Sequence, residues 1–397
     1  MDPPNEMNHM DKLLPLEPFR GFYRNKRVWV TGHTGFKGSW LSAWLVELGA
    51  KVTGYAMDPP SEPAHFDELG LKKRMKDVRS DIRDAGRVRK AMAKARPEIV
   101  FHLAAQPIVR SSYDDPMATY QTNVMGTIHV VEAIRHQSGI RAAVIVTSDK
   151  CYENVEQQAG YREGDRLGGK DPYSASKAAA EIAFSSYARS FFTHGKTGIA
   201  TARAGNVIGG GDWAKDRIVP DCIRAWRGKK KPVVRNPRST RPWQHVLEPI
   251  SGYLALGAAL ATGSGVHDLA KGFSKVGHPR KNYMPQGEAF NFGPRKDVNE
   301  TVGSLIHELR KHWPMAREPK IEKNKSKPEA GLLRLDCTKA RKLLGWRATL
   351  NFAETASFTA NWYRTFFEND DNTWRLTSTQ IRNYVSLARI RKLPWAS

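Results

Sequence analysis

Apolar residues in this chain come first as short runs, then at helical spacing, then as runs again. Arg27-Val28-Trp29-Val30 predicts a buried strand, and the glycine-rich stretch Thr31-Gly32-His33-Thr34-Gly35-Phe36-Lys37-Gly38 follows at once. From Ser39 to Leu48 the apolar positions Trp40, Leu41, Trp44, Leu45 and Leu48 recur as on one face of a helix. Lys51–Tyr55 predicts a second strand, and Asp77–Ile82 holds the end of a third. Ile99–Phe101 is a fourth, running into the small-residue turn His102-Leu103-Ala104-Ala105-Gln106, and Ala142–Val146 is a fifth. Strands alternating with helices predict an α/β fold, a Rossmann-type doubly wound parallel sheet. A further helix starts at Asp171-Pro172. Aspartate suits an N-cap, proline suits the first turn, and the alanine-rich run after Lys177 favours helix.

Strand, glycine turn and helix in that order form the context of a dinucleotide fingerprint. Gly32 allows the tight turn, Gly35 lets backbone approach a pyrophosphate, and Gly38 permits close packing of the helix. Thr34, Phe36 and Lys37 complete the turn, and the helix N-terminus offers free N–H groups to the phosphates. Asp81 followed by Ile82 is placed to flank an adenine, and Leu103, Ala104, Ala105 and Gln106 allow close approach of a cofactor. Ligands of such sheets bind at the carboxyl ends of the strands, so the glycine turn, Ala104-Ala105 and Ser148-Asp149-Lys150 belong to one cleft. Tyr173 and Lys177 stand at i and i+4 on the helix after Asp171 and share a face. An ammonium beside a phenol stabilises the phenolate, so Tyr173 is expected to have a lowered pKa and to act as a general acid/base. A lone Tyr-x-x-x-Lys is common on ordinary helices. Its weight here comes from its company.

At 397 residues the chain is long enough for two lobes. Residues 1–20, polar and rich in Pro and Met, predict a flexible tail. Residues 21–205 predict the dinucleotide domain, completed by 242–262 and 288–294, and 206–397 mainly a smaller mixed α/β substrate-binding domain. Three cysteines, Cys151, Cys222 and Cys337, have no metal-ligand spacing, which predicts a reducing, cytoplasmic setting and no metal site. No apolar run reaches the length that spans a bilayer. Lys and Arg number 63 against 40 Asp and Glu, a net charge of +23 that one anionic substrate does not require. The excess is concentrated in Arg224–Arg241, in Lys271–Lys281 and in the Lys-rich stretch 316–327; 271–287 and 316–327 are expected as solvated loops. These clusters lack interleaved aromatics and match no nucleic-acid module, which argues against a nucleic-acid partner.

The motifs TGHTGFKG at 31–38, HLAAQ at 102–106, NVMGT at 123–127 and YSASK at 173–177 resemble the extended short-chain dehydrogenase/reductases. Within that group the chain is similar to the CDP-glucose 4,6-dehydratases. The likeness rests on VTGHTGFKGSWL at 30–41, VTSDKCYEN at 146–154, RAGNVIGGGDWAKDRIVPD at 203–221 and RPWQHVLEPISGYL at 241–254. The resemblance implies NAD as cofactor, CDP-glucose as substrate, and CDP-4-dehydro-6-deoxyglucose and water as products. It also implies a homodimer or homotetramer. Tyr173 would take the proton of the sugar 4-hydroxyl, Ser148 would hydrogen-bond the 4-oxygen, and Lys177 would hold the nicotinamide ribose. Asp149 and Lys150 would serve as acid and base in the elimination, their order left open; the thymidine- and GDP-sugar dehydratases carry glutamate in place of Lys150. Gln106, Asn206, Arg217, Arg235, Arg241 and His245 are candidate substrate contacts, the arginines because a guanidinium matches phosphate oxygens; His245 is more a structural than a catalytic candidate.

Two other readings stay open. A 4-epimerase on the same fold would leave Asp149 and Lys150 without a duty, and a non-catalytic dinucleotide binder would have no use for Tyr173 with Lys177. Tyr55-Ala56 ends the second strand with neither an arginine for a 2′-phosphate nor an acid for the adenosine ribose, and Asp58 lies beyond it. NAD is therefore expected to be held less firmly than in relatives with that acid.

Overall fold

The apolar runs become the strands of one sheet. The computed structural model describes residues 17–193, 196–263, 286–295, 298–314, 316–322, 332–368 and 372–397. The strands are β1 (Arg27–Thr31), β2 (Lys51–Ala56), β3 (Lys76–Arg79), β4 (Ile99–His102), β5 (Ala142–Val146), β6 (Gly198–Ala204) and β7 (Ala289–Phe292). All neighbours are parallel, in the order β7-β6-β5-β4-β1-β2-β3. The order reverses between β1 and β4, which opens a crevice at their carboxyl ends. Every residue of β4, β5 and β6 is buried, so these strands read as unbroken apolar runs and not as alternating ones.

Eight longer helices matter here: α1 (Phe36–Glu47), α2 (Ala85–Ala95), α3 (Gly126–Arg135), α4 (Pro172–Phe191), α5 (Ile218–Arg227), α6 (Leu247–Thr262), α7 (Phe352–Glu368) and α8 (Thr373–Ile390). α1 starts inside the glycine turn, three residues before the apolar spacing begins. α4 starts where expected, with the Asp171 carboxylate accepting from Ser174 N at 2.9 Å. One core lies between the sheet, α1, α6 and the C-terminal helices, and a second lies on the opposite face under α2, α3 and α4. In α6 every residue from Leu247 to Ala261 is buried. Gly252 is needed there, because a Cβ would lie 2.2 Å from the Phe292 ring.

Two expectations need correction. The tail ends earlier than residue 20: Phe19 is buried and stacks on Trp395 with centroids 5.4 Å apart. β3 stops at Arg79, so Asp81 and Ile82 lie in the turn after it. Of the basic stretches expected as loops, 264–285 and 323–331 lie outside the described residues, while Lys320–Ile321 pairs with Val233–Val234 as a short strand. Among the described residues no helix is long and apolar enough to cross a membrane.

The C-terminal segment is tied to α6 by one buried carboxylate. Glu248 accepts from the N–H groups of Thr349 and Leu350 and from Tyr384 Oη, at 2.6 to 3.0 Å. Burial raises its pKa from 4.5 to about 7, against those hydrogen bonds. A raised carboxyl binds more protons in the native state than in the unfolded one, so its contribution to stability falls as pH rises through that window. Relative to Glu248→Gln, the parent should lose roughly 3 kcal/mol between pH about 4.5 and about 7, read from urea unfolding across that range. Parallel pH profiles for the two proteins would contradict this.

Candidate active site

The crevice is lined first by the glycine turn. Gly32 has φ +72°, and a Cβ there would lie 2.8 Å from Ala104 N; one on Gly38 would lie 2.0 Å from Gly32 O. Both glycines are required by close backbone approach. Gly35 is different, since its nearest neighbour would be Gly32 O at 3.5 Å and space remains for a ligand. The helical ladder of α1 begins with Ser39 N on Gly35 O at 2.8 Å, which leaves the preceding N–H groups without intrahelical partners. This cradle fits a pyrophosphate.

His33 is buried in the same turn. Its Nε2 lies 2.8 Å from Asp77 Oδ1, and its ring fills the place a Cβ on Gly54 would take. Asp77 also binds Arg79, whose Nη1 donates to Met57 O at 3.2 Å and lies 3.6 Å from Asp58. The end of β2 therefore does have an arginine beside it. The expectation of none is corrected: β3 supplies it through the pairing of Ala56 with Arg79. Asp81 is held by its own neighbour Arg83, and the Ile82 side chain is buried beside Gly126.

The turn after β4 is clamped from two sides. Thr31 Oγ1 accepts from Leu103 N and Ala104 N at 3.0 Å each and lies 2.7 Å from His102 Nδ1. Asn123, in a π-helical turn over Gln121–Met125, holds both backbone groups of Gln106 and reaches Ser176 on α4 at 2.9 Å. The Gln106 amide itself is engaged, donating to Thr119 Oγ1 and accepting from Ile108 N. These bonds shape the loop and leave one N–H and one lone pair of the half-buried amide.

At the end of β5 the chain tightens into a short 3-10 turn, Asp149–Cys151, capped by Ser148, whose Oγ accepts from Lys150 N at 3.2 Å. The turn breaks strand alternation. The Ser148 hydroxyl also donates to Asp149 Oδ1 at 3.0 Å, and it favours the ionised form of the Tyr173 phenol. Burial raises Asp149 above the usual carboxylate range, opposed by Lys150, by the Ser148 hydroxyl and by Lys37. Burial lowers Lys177 to about 8. It also raises Tyr173 to about 12, with the Ser148 bond and the Arg217 charge pulling the other way. The expected lowering of the tyrosine by Lys177 is thus corrected, because in this chain desolvation outweighs the nearby cations.

Two features went unread in the sequence, the surroundings of Lys37 and the role of Glu181, while Cys151 packs as its type suggests. Lys37, lowered to about 8 by burial and by Arg217, turns away from the glycine turn to Tyr253 Oη at 3.3 Å. Tyr253 lies inside α6 and only the fold brings it here. Glu181, one turn beyond Lys177, is buried and accepts from Thr147, from Thr201 at 2.9 Å and from Arg203 at 3.0 and 2.8 Å. Its spacing from Lys177 was a usable signal. Cys151 is fully buried and its thiol is pushed up by burial, which suits packing and not nucleophilic attack.

Of the remaining candidates, the structure brings Arg217 to the cluster, where its charge acts on Tyr173 and Lys37; Asp212 holds it at 2.9 Å. The Asn206 carbonyl accepts from Gln244 N at 3.3 Å. Arg235 is exposed and its charge acts on Asp221, and Arg241 lies on a two-residue strand paired with Glu300–Thr301. His245 takes the structural role favoured for it and not that of a substrate contact: it is fully buried, edge-on to Trp40 and Phe358, and burial lowers it to about 3. It packs the core. Among the described residues no group of three or more His, Cys, Asp or Glu side chains is placed to hold a metal.

The sequence profile of the family described as GDP-mannose 4,6 dehydratase matches residues 29–359. A CDP-glucose 4,6-dehydratase of Salmonella typhimurium is 45% identical over 358 residues, covering 89% of this chain and 94% of the relative. A dTDP-glucose 4,6-dehydratase of Streptomyces antibioticus is 29% identical, covering 87% and 93%. Among solved structures, a UDP-glucose 4-epimerase of Thermotoga maritima superposes with a TM-score of 0.69 at 21% identity, covering 86% of this chain and 99% of that one. A dTDP-glucose 4,6-dehydratase of Bacillus anthracis in complex with NAD gives 0.67 at 18%, covering 86% and 97%. At those identities the two structures speak for the fold.

The cradle makes a direct prediction. Gly38→Ala forces a methyl group into Gly32 O, and neither backbone has room to yield, so the turn must open. Binding of ADP-ribose, followed by calorimetry, should weaken about tenfold or more, while unchanged affinity would contradict the assignment of this turn.

Proposed function

The chain belongs to the GDP-mannose 4,6 dehydratase family, and on that premise we propose that it converts CDP-glucose to CDP-4-dehydro-6-deoxyglucose and water, with NAD as resident cofactor. The observation that carries this reading is the junction at the end of β5, where the Ser148 hydroxyl donates to a buried Asp149 and accepts from Lys150 N in one turn. An epimerase has no use for a second acid/base at that point. The 45% identity to the Salmonella dehydratase supports the choice of nucleotide.

NAD on the glycine turn and against Leu103–Ala105, with Lys177 at its ribose, would supply the oxidation at C4 and the matching reduction at C6. The side chains do the rest. Tyr173 takes the 4-hydroxyl proton while Ser148 holds the 4-oxygen. A carboxyl raised by burial is suited to carry a proton, which makes Asp149 the acid at the departing C6 hydroxyl and leaves the Lys150 amine for the C5 proton. Arg217 is the cation placed for the diphosphate or the sugar.

The helices spanning 109–135 pack beside α4, and together they leave Tyr113, Met117, Met125 and Ile182 exposed. We assign this face to contact with a second copy of the chain, in a homodimer or homotetramer. The three cysteines, none of them in a disulfide and two of them buried, suit a cytoplasmic enzyme.

Incubation with a panel of nucleotide-glucoses, followed by mass measurement, should show loss of one water from CDP-glucose; isomerisation without mass change would mark an epimerase. Tyr173→Phe should give no reduced nicotinamide at all. Lys150→Met should form reduced nicotinamide yet release product about 100-fold more slowly or worse, and parental turnover by that variant would remove Lys150 from the chemistry. Ile182→Lys should shift the sedimenting species towards monomer, and an unchanged size would reject that face.

A further inference from the structure

Asp149 has a neighbour that takes no part in the chemistry itself. β5 and β6 run in parallel with Val146 opposite Ala202, and Thr147 N donates to Ala202 O at 2.9 Å. Three residues on from that pair stand Asp149 on one chain and Gly205 on the other. Register therefore sets a residue without a side chain abreast of the carboxylate. A Cβ on Gly205 would lie 2.8 Å from Asp149 Oδ2 and 3.5 Å from its Cγ; the next atom, Pro242 Cγ, is at 3.8 Å.

The backbone gives no reason for glycine at this place. Gly205 is not among the residues with positive φ, so an L side chain suits its conformation. Pro242 stands at an ordinary contact distance. The crowding comes from the carboxylate alone. Neither chain can move aside to relieve it. Two residues before Gly205, Arg203 is fixed to Glu181 at 2.8 Å, and the turn that carries Asp149 is closed by Cys151 N on Ser148 O at 3.2 Å. The carboxylate, which swings about χ1 and χ2, is the part that would yield to a methyl group.

Such a swing would spoil orientation. Oδ1 accepts from Ser148 Oγ at 3.0 Å, which fixes that oxygen as an acceptor and leaves Oδ2 to carry a proton. Oδ2 is the oxygen beside Gly205. We propose that Gly205 is a positioning residue for the elimination: its missing side chain leaves Asp149 Oδ2 the room to hold its proton where the C6 hydroxyl departs. This rests on the dehydratase reading and deepens it, because it explains a glycine where the backbone itself would accept alanine.

Gly205→Ala separates oxidation from elimination. In single turnovers with CDP-glucose and NAD, the variant should reduce nicotinamide at near the parental rate and then lose water about 100-fold more slowly, as a misplacement of about 1 Å does elsewhere. Reduced nicotinamide should accumulate, which a general loss of stability does not produce. Calorimetric binding of ADP-ribose should stay parental. The decisive comparison is with Asp149→Ala, which removes both crowded atoms and leaves Pro242 as the nearest neighbour. Adding Gly205→Ala to that variant should slow elimination no further, whereas the effects of independent residues would multiply. Parental turnover by Gly205→Ala, slowed nicotinamide reduction, weakened ADP-ribose binding, or a further fall in the double variant overturns the proposal and leaves the dehydratase reading intact. A parent that dehydrates no nucleotide-glucose overturns that reading and the proposal with it.

Discussion

Everything at the carboxyl end of the sheet hangs from the buried ion pair of Glu181 and Arg203. Both side chains are almost wholly removed from water, and such a pair is stable only when every donor and acceptor is met. Here they are. Glu181 takes Thr147 from the end of β5, Thr201 from β6 and two nitrogens of Arg203; Arg203 also donates to Tyr152 Oη at 2.8 Å and Glu163 O at 3.0 Å. Tyr152 in turn donates to Asn291 on β7 at 2.8 Å. Tyr173, Lys177 and Glu181 follow at intervals of four on α4, so fixing the last fixes the first two against the turn at Ser148. Removing one partner would leave a buried charge at a cost of about 3–5 kcal/mol. The pair acts on position more than on net stability.

Around that anchor, desolvation sets the chemistry. It raises the acids and lowers the amines, bringing Lys177 and Lys37 to about 8 and lifting Asp149 and Tyr173. Groups held near the neutral form exchange protons with a substrate more readily than groups locked in ion pairs.

The sheet was legible because its central strands are buried on both faces, so apolar runs and strands coincide. The start of α4 was legible because capping is local chemistry. The features missed or misread are those that tertiary packing decides. Arg79 is far from the end of β2 along the chain and reaches it only through the register of β2 with β3. Phe19 sits in a polar, proline-rich stretch and is buried only because the C-terminus returns to cover it. His245 carries a chemistry-bearing ring, yet the fold turns it into the core. For Tyr173 the sequence showed the neighbouring cation but not the depth of burial, and burial decides the sign.

The central claim is that oxidation at C4 and reduction at C6 occur in one closed site, with the hydrogen removed at the first carbon delivered to the second. It is tested most directly with CDP-glucose deuterated at C4, turned over by the full-length enzyme with NAD and analysed by NMR. The account predicts a product carrying deuterium at C6, retained from C4. Deuterium that remains at C4, or a C6 methyl group built from solvent hydrogen alone, would contradict it.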